Sequence, residues 1–201
     1  MDLGRVSPIA GIVCVVTFMT LWVLAAILDG DWVLGGNTLS DLGVDGNDAS
    51  ELCFNGGCAL AGILAIIFAL VYFEKKGAWR ICGVTVVLAG LMLVGVGIVN
   101  LHYGKAHFFD ASAHGVFAAI SMLISVYGDW RDGHKHTMVY TILIMLSCVI
   151  VTLTTKFEVF EPFCVCGVMA WALGQSIKLL KEAKDAETGV EAPTEPGPSS
   201  P

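Results

Sequence analysis

The chain has 201 residues, 56% of them hydrophobic and 14% charged, with formal net charge −7 and mean hydropathy +0.76. Ordinary soluble domains carry about 25% charged residues, so an ordinary soluble domain is excluded. The negative balance argues against a nucleic-acid partner, because phosphate binding needs clustered cations.

A run of about 20 apolar residues, rising about 1.5 Å per residue, crosses the roughly 30 Å hydrocarbon core. Six such runs are present, at about 8–28, 54–73, 81–100, 108–127, 138–155 and 160–177. They are continuous rather than alternating, and open sheets do not survive in lipid. The expected fold is an all-α integral membrane protein, a six-transmembrane-helix bundle with both termini inside. Residues 1–180 form its single domain.

The orientation comes from the cations. With the termini inside, Arg5, Lys75, Lys76, Arg80, Arg131, Lys135, Lys178, Lys181 and Lys184 are cytoplasmic, and only Lys105 and Lys156 are outside. That asymmetry is the expected bias for a multi-pass protein of the cell membrane. The first run is longer than a signal-peptide core and lacks a small-residue cleavage site, so it reads as a retained span.

The outer loop after span one, Asp29 to about Asn47, is the only long connection, and it is acidic: Asp29, Asp31, Asp41, Asp45, Asp48 and Glu51 have no basic residue between Arg5 and Lys75. Within it, Asn37-Thr-Leu-Ser40-Asp41-Leu-Gly43 reads either as a capped turn or as a re-entrant segment packing back on the bundle. In the second case Ser40 and Asp41 offer oxygens to a cation or to a histidine. Asp48-Ala-Ser-Glu51 resembles a capping box that starts span two. A calcium loop is disfavoured by the spacing of Asp45-Gly-Asn-Asp48.

Spans two, three and six are rich in small residues (Gly57, Ala61, Gly62, Gly83, Gly90, Gly95, Gly97, Gly167, Gly174) and are the candidates for tight helix contacts. The span-three/span-four junction, Asn100 to Gly115, holds three of the five histidines. His107, Asp110 and His114, at i, i+3 and i+7, share one face of span four. Ionisable groups in a span are costly unless paired or useful. The expected arrangement pairs Asp110 with one histidine and leaves the other for a ligand or another helix. His102 and Lys105 suit the headgroup level, and His134 and His136 lie in the opposite loop.

Pro162, preceded by Glu161, is expected at the start of the last helix. The tail, 181–201, is expected to be disordered and acidic, since residues Glu182–Pro201 carry five acids against one lysine, and four of six prolines fall in the last nine residues. The seven cysteines show no redox or zinc spacing.

The motifs N-T-L-S-D-L-G at Asn37–Gly43 and F-N-G-G-C-A-L-A-G at Phe54–Gly62 carry a resemblance. So do the glycine-rich third span running into N-L-H-Y-G and the Phe108–Phe109 pair. The chain resembles the six-span archaeal and bacterial membrane proteins of domain of unknown function 998, over about residues 8–180. More remotely it is similar to DRAM-like multispan proteins of eukaryotes. A Ser, an Asp and three His near one membrane face also resemble the ceramidase and progestin-receptor-like zinc hydrolases. The paired late-helix histidines and seven spans of that group are not present here.

The expected function is binding or passing a lipid, small amphiphile or ion, without catalysis, in an outward pocket of Ser40, Asp41, His107, Asp110 and His114. The alternative is a metal-dependent intramembrane hydrolase acting on a lipid-like substrate. In that case His107, Asp110 and His114 would be metal ligands, zinc the metal, and Asp41 or Glu161 the base. A third reading is a structural subunit of a membrane complex. No cofactor is firmly indicated, and the expected partners are membrane lipids or another membrane protein.

Overall fold

The computed structural model describes residues 2–189. Six long helices run up and down: α1 (Leu3–Asp29), α2 (Asp48–Glu74), α3 (Ala78–Ile98), α4 (Lys105–Arg131), α5 (Lys135–Thr154) and α6 (Phe157–Thr188). All six are long and apolar enough to cross a membrane. Two short 3-10 segments, Leu39–Gly43 and Leu101–Tyr103, sit in the α1–α2 and α3–α4 connections.

Successive helices are neighbours, and α6 packs on both α5 and α1, closing the ring. The loop end carries both 3-10 segments. The opposite, basic end carries the N-terminus and the α2–α3 and α4–α5 turns. Two buried clusters fill the bundle, one behind each end. Phe18, Trp22, Leu39, Leu42, Phe54 and Leu93 belong to the loop-end cluster. Phe68, Tyr72, Trp79, Met122, Trp171 and Leu179 belong to the other. Helix α5 buries only Thr141 and turns Leu143, Leu146, Val149, Ile150 and Leu153 outward. Such a face suits lipid contact, because lipid tails accept apolar side chains without penalty.

The small residues work in pairs of helices. A Cβ on Gly62 would lie 2.5 Å from the Gly90 carbonyl, and one on Gly90 would lie 2.8 Å from the Gly62 carbonyl, so α2 and α3 meet backbone to backbone. In α6 the glycines serve a different neighbour. Gly167 receives Cys148 and Gly174 receives Tyr140, both from α5. The tight contact thus joins α2 to α3, and α6 does not share it.

Three boundaries differ from the sequence expectation. Asn47, not Asp48, caps α2, accepting from the amides of Ala49 and Ser50, while Glu51 reaches back to the amide of Gly46. Helix α6 starts at Phe157, so Pro162 lies inside it rather than at its first position. A proline there cannot donate to the carbonyl four residues back. Helix α6 also continues through Lys181 to Thr188 instead of giving way to a disordered tail at 181. Two ion pairs, Lys75 to Glu182 at 2.6 Å and Arg5 to Glu187, hold that extension, together with a His134–Glu182 contact at 3.1 Å. The expectation for 190–201 lies outside the described residues.

Candidate functional site

The N-T-L-S-D-L-G motif is a plug. Thr38 and Asp41 form a reciprocal cap, with Asp41 Oδ2 accepting from the Thr38 amide at 2.7 Å and Thr38 Oγ1 from the Asp41 amide at 3.3 Å. This satisfies two amides that a short 3-10 turn leaves free. Leu39 and Leu42 then point inward and are buried in the loop-end cluster. Asn37 Oδ1 accepts from the Val33 amide, and the Trp32 indole donates to the Thr38 carbonyl at 2.8 Å. Gly43 packs against Asn55, which donates to the Gly43 carbonyl at 3.0 Å, and a Cβ at Gly43 would meet Asn55 Oδ1 at 2.5 Å. The re-entrant alternative is therefore the observed one, and the capped turn is its first half.

Two polar side chains latch the plug to the bundle. His107 of α4 is buried, 4% exposed, with Nδ1 2.7 Å from the Val99 carbonyl and Nε2 2.9 Å from Ser40 Oγ. A carbonyl only accepts, so Nδ1 carries the proton. In the neutral ring Nε2 then accepts from the Ser40 hydroxyl. Glu161 of α6 accepts from the Leu39 amide at 2.8 Å. The plug is thus tied to both α4 and α6.

The expected pocket is divided rather than assembled. Ser40 and His107 meet, and Asp41 lies beside them but spends one oxygen on the cap. Asp110 does not pair with either histidine. Its carboxylate fills the notch at Gly95 of α3, where a Cβ would lie 2.6 Å from Oδ2. His114, two turns deeper, binds the Ala89 carbonyl at 3.0 Å through Nδ1. His107, Asp110 and His114 each address a different part of the α3–α4 region, and among the described residues no three His, Cys, Asp or Glu side chains gather to hold an ion. The span of about 10.5 Å between His107 and His114 along the axis is not closed by side-chain reach. All seven cysteines are free thiols.

Beside the plug is an open cleft of about 340 Å³ lined by Asp29, Asp31, Trp32, Asn37, Asp41, Val44 and Asp45. Four carboxylates and no cation line it. Trp32 is its aromatic wall, held edge-on against Trp22 with centroids 6.2 Å apart. A cleft of this size lies within the range of small-molecule sites.

A second polar centre at the basic end escaped the sequence reading. Asp129 of α4 is fully buried and binds Lys178 Nζ at 2.7 Å and Gln175 Nε2 at 2.9 Å, both from α6. Lys178 Nζ also sits 4.0 Å from the Trp79 ring centroid, a favourable place for a desolvated cation. Tyr72 stacks on the other side of this cluster against Trp79, centroids 5.5 Å apart and planes 6° apart. The Trp79 indole donates to Asp132 in the adjoining turn at 2.6 Å. Burial acts to raise the Asp132 carboxyl, but that indole bond and the Arg131 guanidinium outweigh it and hold it below its ordinary range. The available signal was periodic. Asp129 continues the α4 face of His107, Asp110 and His114 through Ser121 and Ser125 at steps of seven, four and four.

The family model described as "Protein of unknown function (DUF998)" matches residues 12–176, and the chain belongs to that family. Neither a curated protein nor a solved structure matches it.

Proposed function

We propose that this DUF998 protein lies in the cell membrane with both termini inside and binds, without catalysis, the cationic head of a small amphiphile or lipid at its outward mouth. The observation that carries this reading is the cleft of Asp29, Asp31, Asp41, Asp45 and Trp32. Carboxylates attract a positive head, and an aromatic face adds cation–π attraction that favours an organic ammonium over a hydrated metal ion. The surrounding membrane supplies a place for the ligand's apolar tail. The Ser40–His107 latch and the Glu161–Leu39 bond support the reading by fixing the floor of the cleft.

The same Ser–His contact has the form of a nucleophile and base, but its surroundings favour binding. Acyl transfer needs free donors for the developing oxyanion. The nearby amides of Thr38, Leu39 and Asp41 are already committed to Asp41, Glu161 and Thr38.

Calorimetric titration of the protein in lipid nanodiscs tests this, with dodecyltrimethylammonium below its micelle concentration and magnesium chloride as separate probes. Saturable ammonium binding that magnesium displaces only weakly is the expected result. Tight magnesium binding with no ammonium site would convert the cleft to an ion site. Absence of saturable binding by either probe would refute the proposal.

A further inference from the structure

The cations of the basic end are not spread evenly. On the α1–α6 side acids and bases interleave: Asp2, Glu182, Asp185 and Glu187 stand among Arg5, Lys181 and Lys184, and Arg5 pairs with Glu187. At the α2–α3 and α4–α5 turns the balance is positive. There Lys75, Lys76, Arg80, Arg131 and Lys135 outnumber Glu74, Asp129 and Asp132. Asp129 is spent on Lys178, and Glu182 takes Lys75. Asp132 accepts from the Trp79 indole at 2.6 Å and lies 3.4 Å from Arg131. Lys76, Arg80 and Lys135 are exposed, and among the described residues none of them has a carboxylate within ion-pairing distance.

These cations share one surface because the two turns are fastened to each other. The Trp79–Asp132 bond joins the start of α3 to the α4–α5 turn. The Arg131 guanidinium lies over Gly77, where a Cβ would come 3.0 Å from Nη1. Gly77 also has φ +65°, so the turn needs a glycine on both counts. Arg80 Nε donates to the Lys75 carbonyl at 3.0 Å, which folds its guanidinium back over the α2–α3 turn beside Lys76. Lys135 opens α5, three residues after Asp132.

The lipid-facing side of this surface is aromatic and then aliphatic. Next to Arg131, Trp130 is 64% exposed and Tyr127 is 52% exposed, with ring centroids 5.9 Å apart. Amphipathic rings of this kind sit at headgroup level. Further along, Leu123 of α4 is also exposed, as are Ile81 and Val84 of α3. From Arg131 to Leu123 the axial distance is about 12 Å at 1.5 Å per residue. Over that distance the side chains pass from cations to aromatic rings to hydrocarbon. A phospholipid passes from phosphate through glycerol to acyl chain in the same order.

We propose that the α2–α3 and α4–α5 turns form a binding surface for an anionic phospholipid of the adjoining leaflet. Arg80 and Arg131 offer planar forks that match phosphate oxygens, and Lys76 and Lys135 add compact positive charge. Basic clusters at the ends of membrane helices attract anionic headgroups. The exposed Trp130 and Tyr127 favour a lipid over a soluble polyanion, which would meet the cations but not the rings in the bilayer. This inference rests on the helices spanning a membrane. It depends neither on the cleft ligand nor on which end faces the cytoplasm.

The test is electron paramagnetic resonance of the full chain in phosphatidylcholine bilayers, with chain-labelled phosphatidylglycerol or phosphatidylcholine as the probe. Wild-type protein is expected to immobilise the anionic probe with about fivefold preference, the factor that one lysine or arginine contributes at an anionic surface. Lys76→Gln/Arg80→Gln/Lys135→Gln leaves Arg131 and its contacts in place and is expected to abolish the preference. Arg5→Gln/Lys181→Gln/Lys184→Gln removes the same charge from the α1–α6 side and is expected to keep it. Equal immobilisation of the two probes by the wild type overturns the proposal. So does equal loss in the two monodisperse triple variants, which would mean that total charge and not this surface selects the lipid. Binding of soluble polyglutamate, lost in the first triple variant while the lipid probes stay indistinguishable, would assign the surface to an acidic protein segment instead. None of these outcomes bears on ammonium binding at the opposite end.

Discussion

The two ends of the bundle solve the same problem, holding polar groups inside an apolar protein, by different means. At the loop end the His107 imidazole joins Ser40 Oγ and the Val99 carbonyl, and Glu161 takes a backbone amide. At the basic end a carboxylate and an ammonium face each other with almost no solvent contact, their side chains 0% and 6% exposed. The difference predicts different tolerance. A hydrogen-bonded side-chain latch loses about 1–3 kcal/mol when one partner is removed, and its plug can loosen without disturbing the rest. Removing one member of a buried ion pair costs more, about 3–5 kcal/mol, because the other charge is left in a medium that cannot solvate it.

Lys178→Met is therefore the most damaging single change, with an expected loss of about 3–5 kcal/mol seen as a lowered thermal midpoint. The double variant Asp129→Asn/Lys178→Met removes both charges and should recover most of that loss. If the double is as unstable as the single, the charge argument fails and packing around Trp79 is the cause.

His107→Ala comes next, at about 1–3 kcal/mol, and its effect should be local. Hydrogen exchange is expected to rise at the amides of residues 38–43 while those around Asp129 keep their protection. Uniform deprotection of both ends would show that the plug is part of the global fold rather than a separately latched element. Thr38→Ala removes only the cap and should cost about 1 kcal/mol, again confined to the plug. An effect larger than that of His107→Ala would reverse the ranking of cap and latch.

The smallest effect concerns pH. Asp132 is held below its ordinary range in the folded protein, so its contribution is present above the unfolded carboxylate value and is lost as pH falls through the folded one. Thermal midpoints should fall gently with acid over that window. Trp79→Phe, which deletes the indole donor to Asp132, should flatten part of the dependence. An unchanged slope in Trp79→Phe would mean that the indole bond does not set the shift.

Most of the architecture was legible because length and hydropathy act locally. Twenty apolar residues dictate a spanning helix whatever lies beside it. The ends were less legible, since capping and tail contacts reach outside the apolar run: Asn47 rather than Asp48 caps α2, and Lys75, His134 and Arg5 extend α6 past Lys181. The meeting of Ser40 with His107 was foreshadowed by two polar groups on the same side of an apolar bundle. Asp110 was misread because a carboxylate between two histidines looks like their partner, whereas the notch at Gly95 receives it instead. Asp129 and Lys178 are 49 residues apart and just beyond the ends of their apolar runs, where charge ordinarily meets headgroups. Only the packing of α6 beside α4 shows that they are buried.

The claim that the outward cleft recognises a cationic head is tested most directly by the dodecyltrimethylammonium affinity of Asp31→Asn/Asp45→Asn against the wild type, at low and at 0.5 M salt. Neither residue contributes a side chain to the plug's latch or cap. The account predicts at least a tenfold weaker affinity in the double variant at low salt, and a smaller ratio at high salt as screening shortens the reach of the carboxylates. Equal affinity in the two proteins at low salt would contradict it.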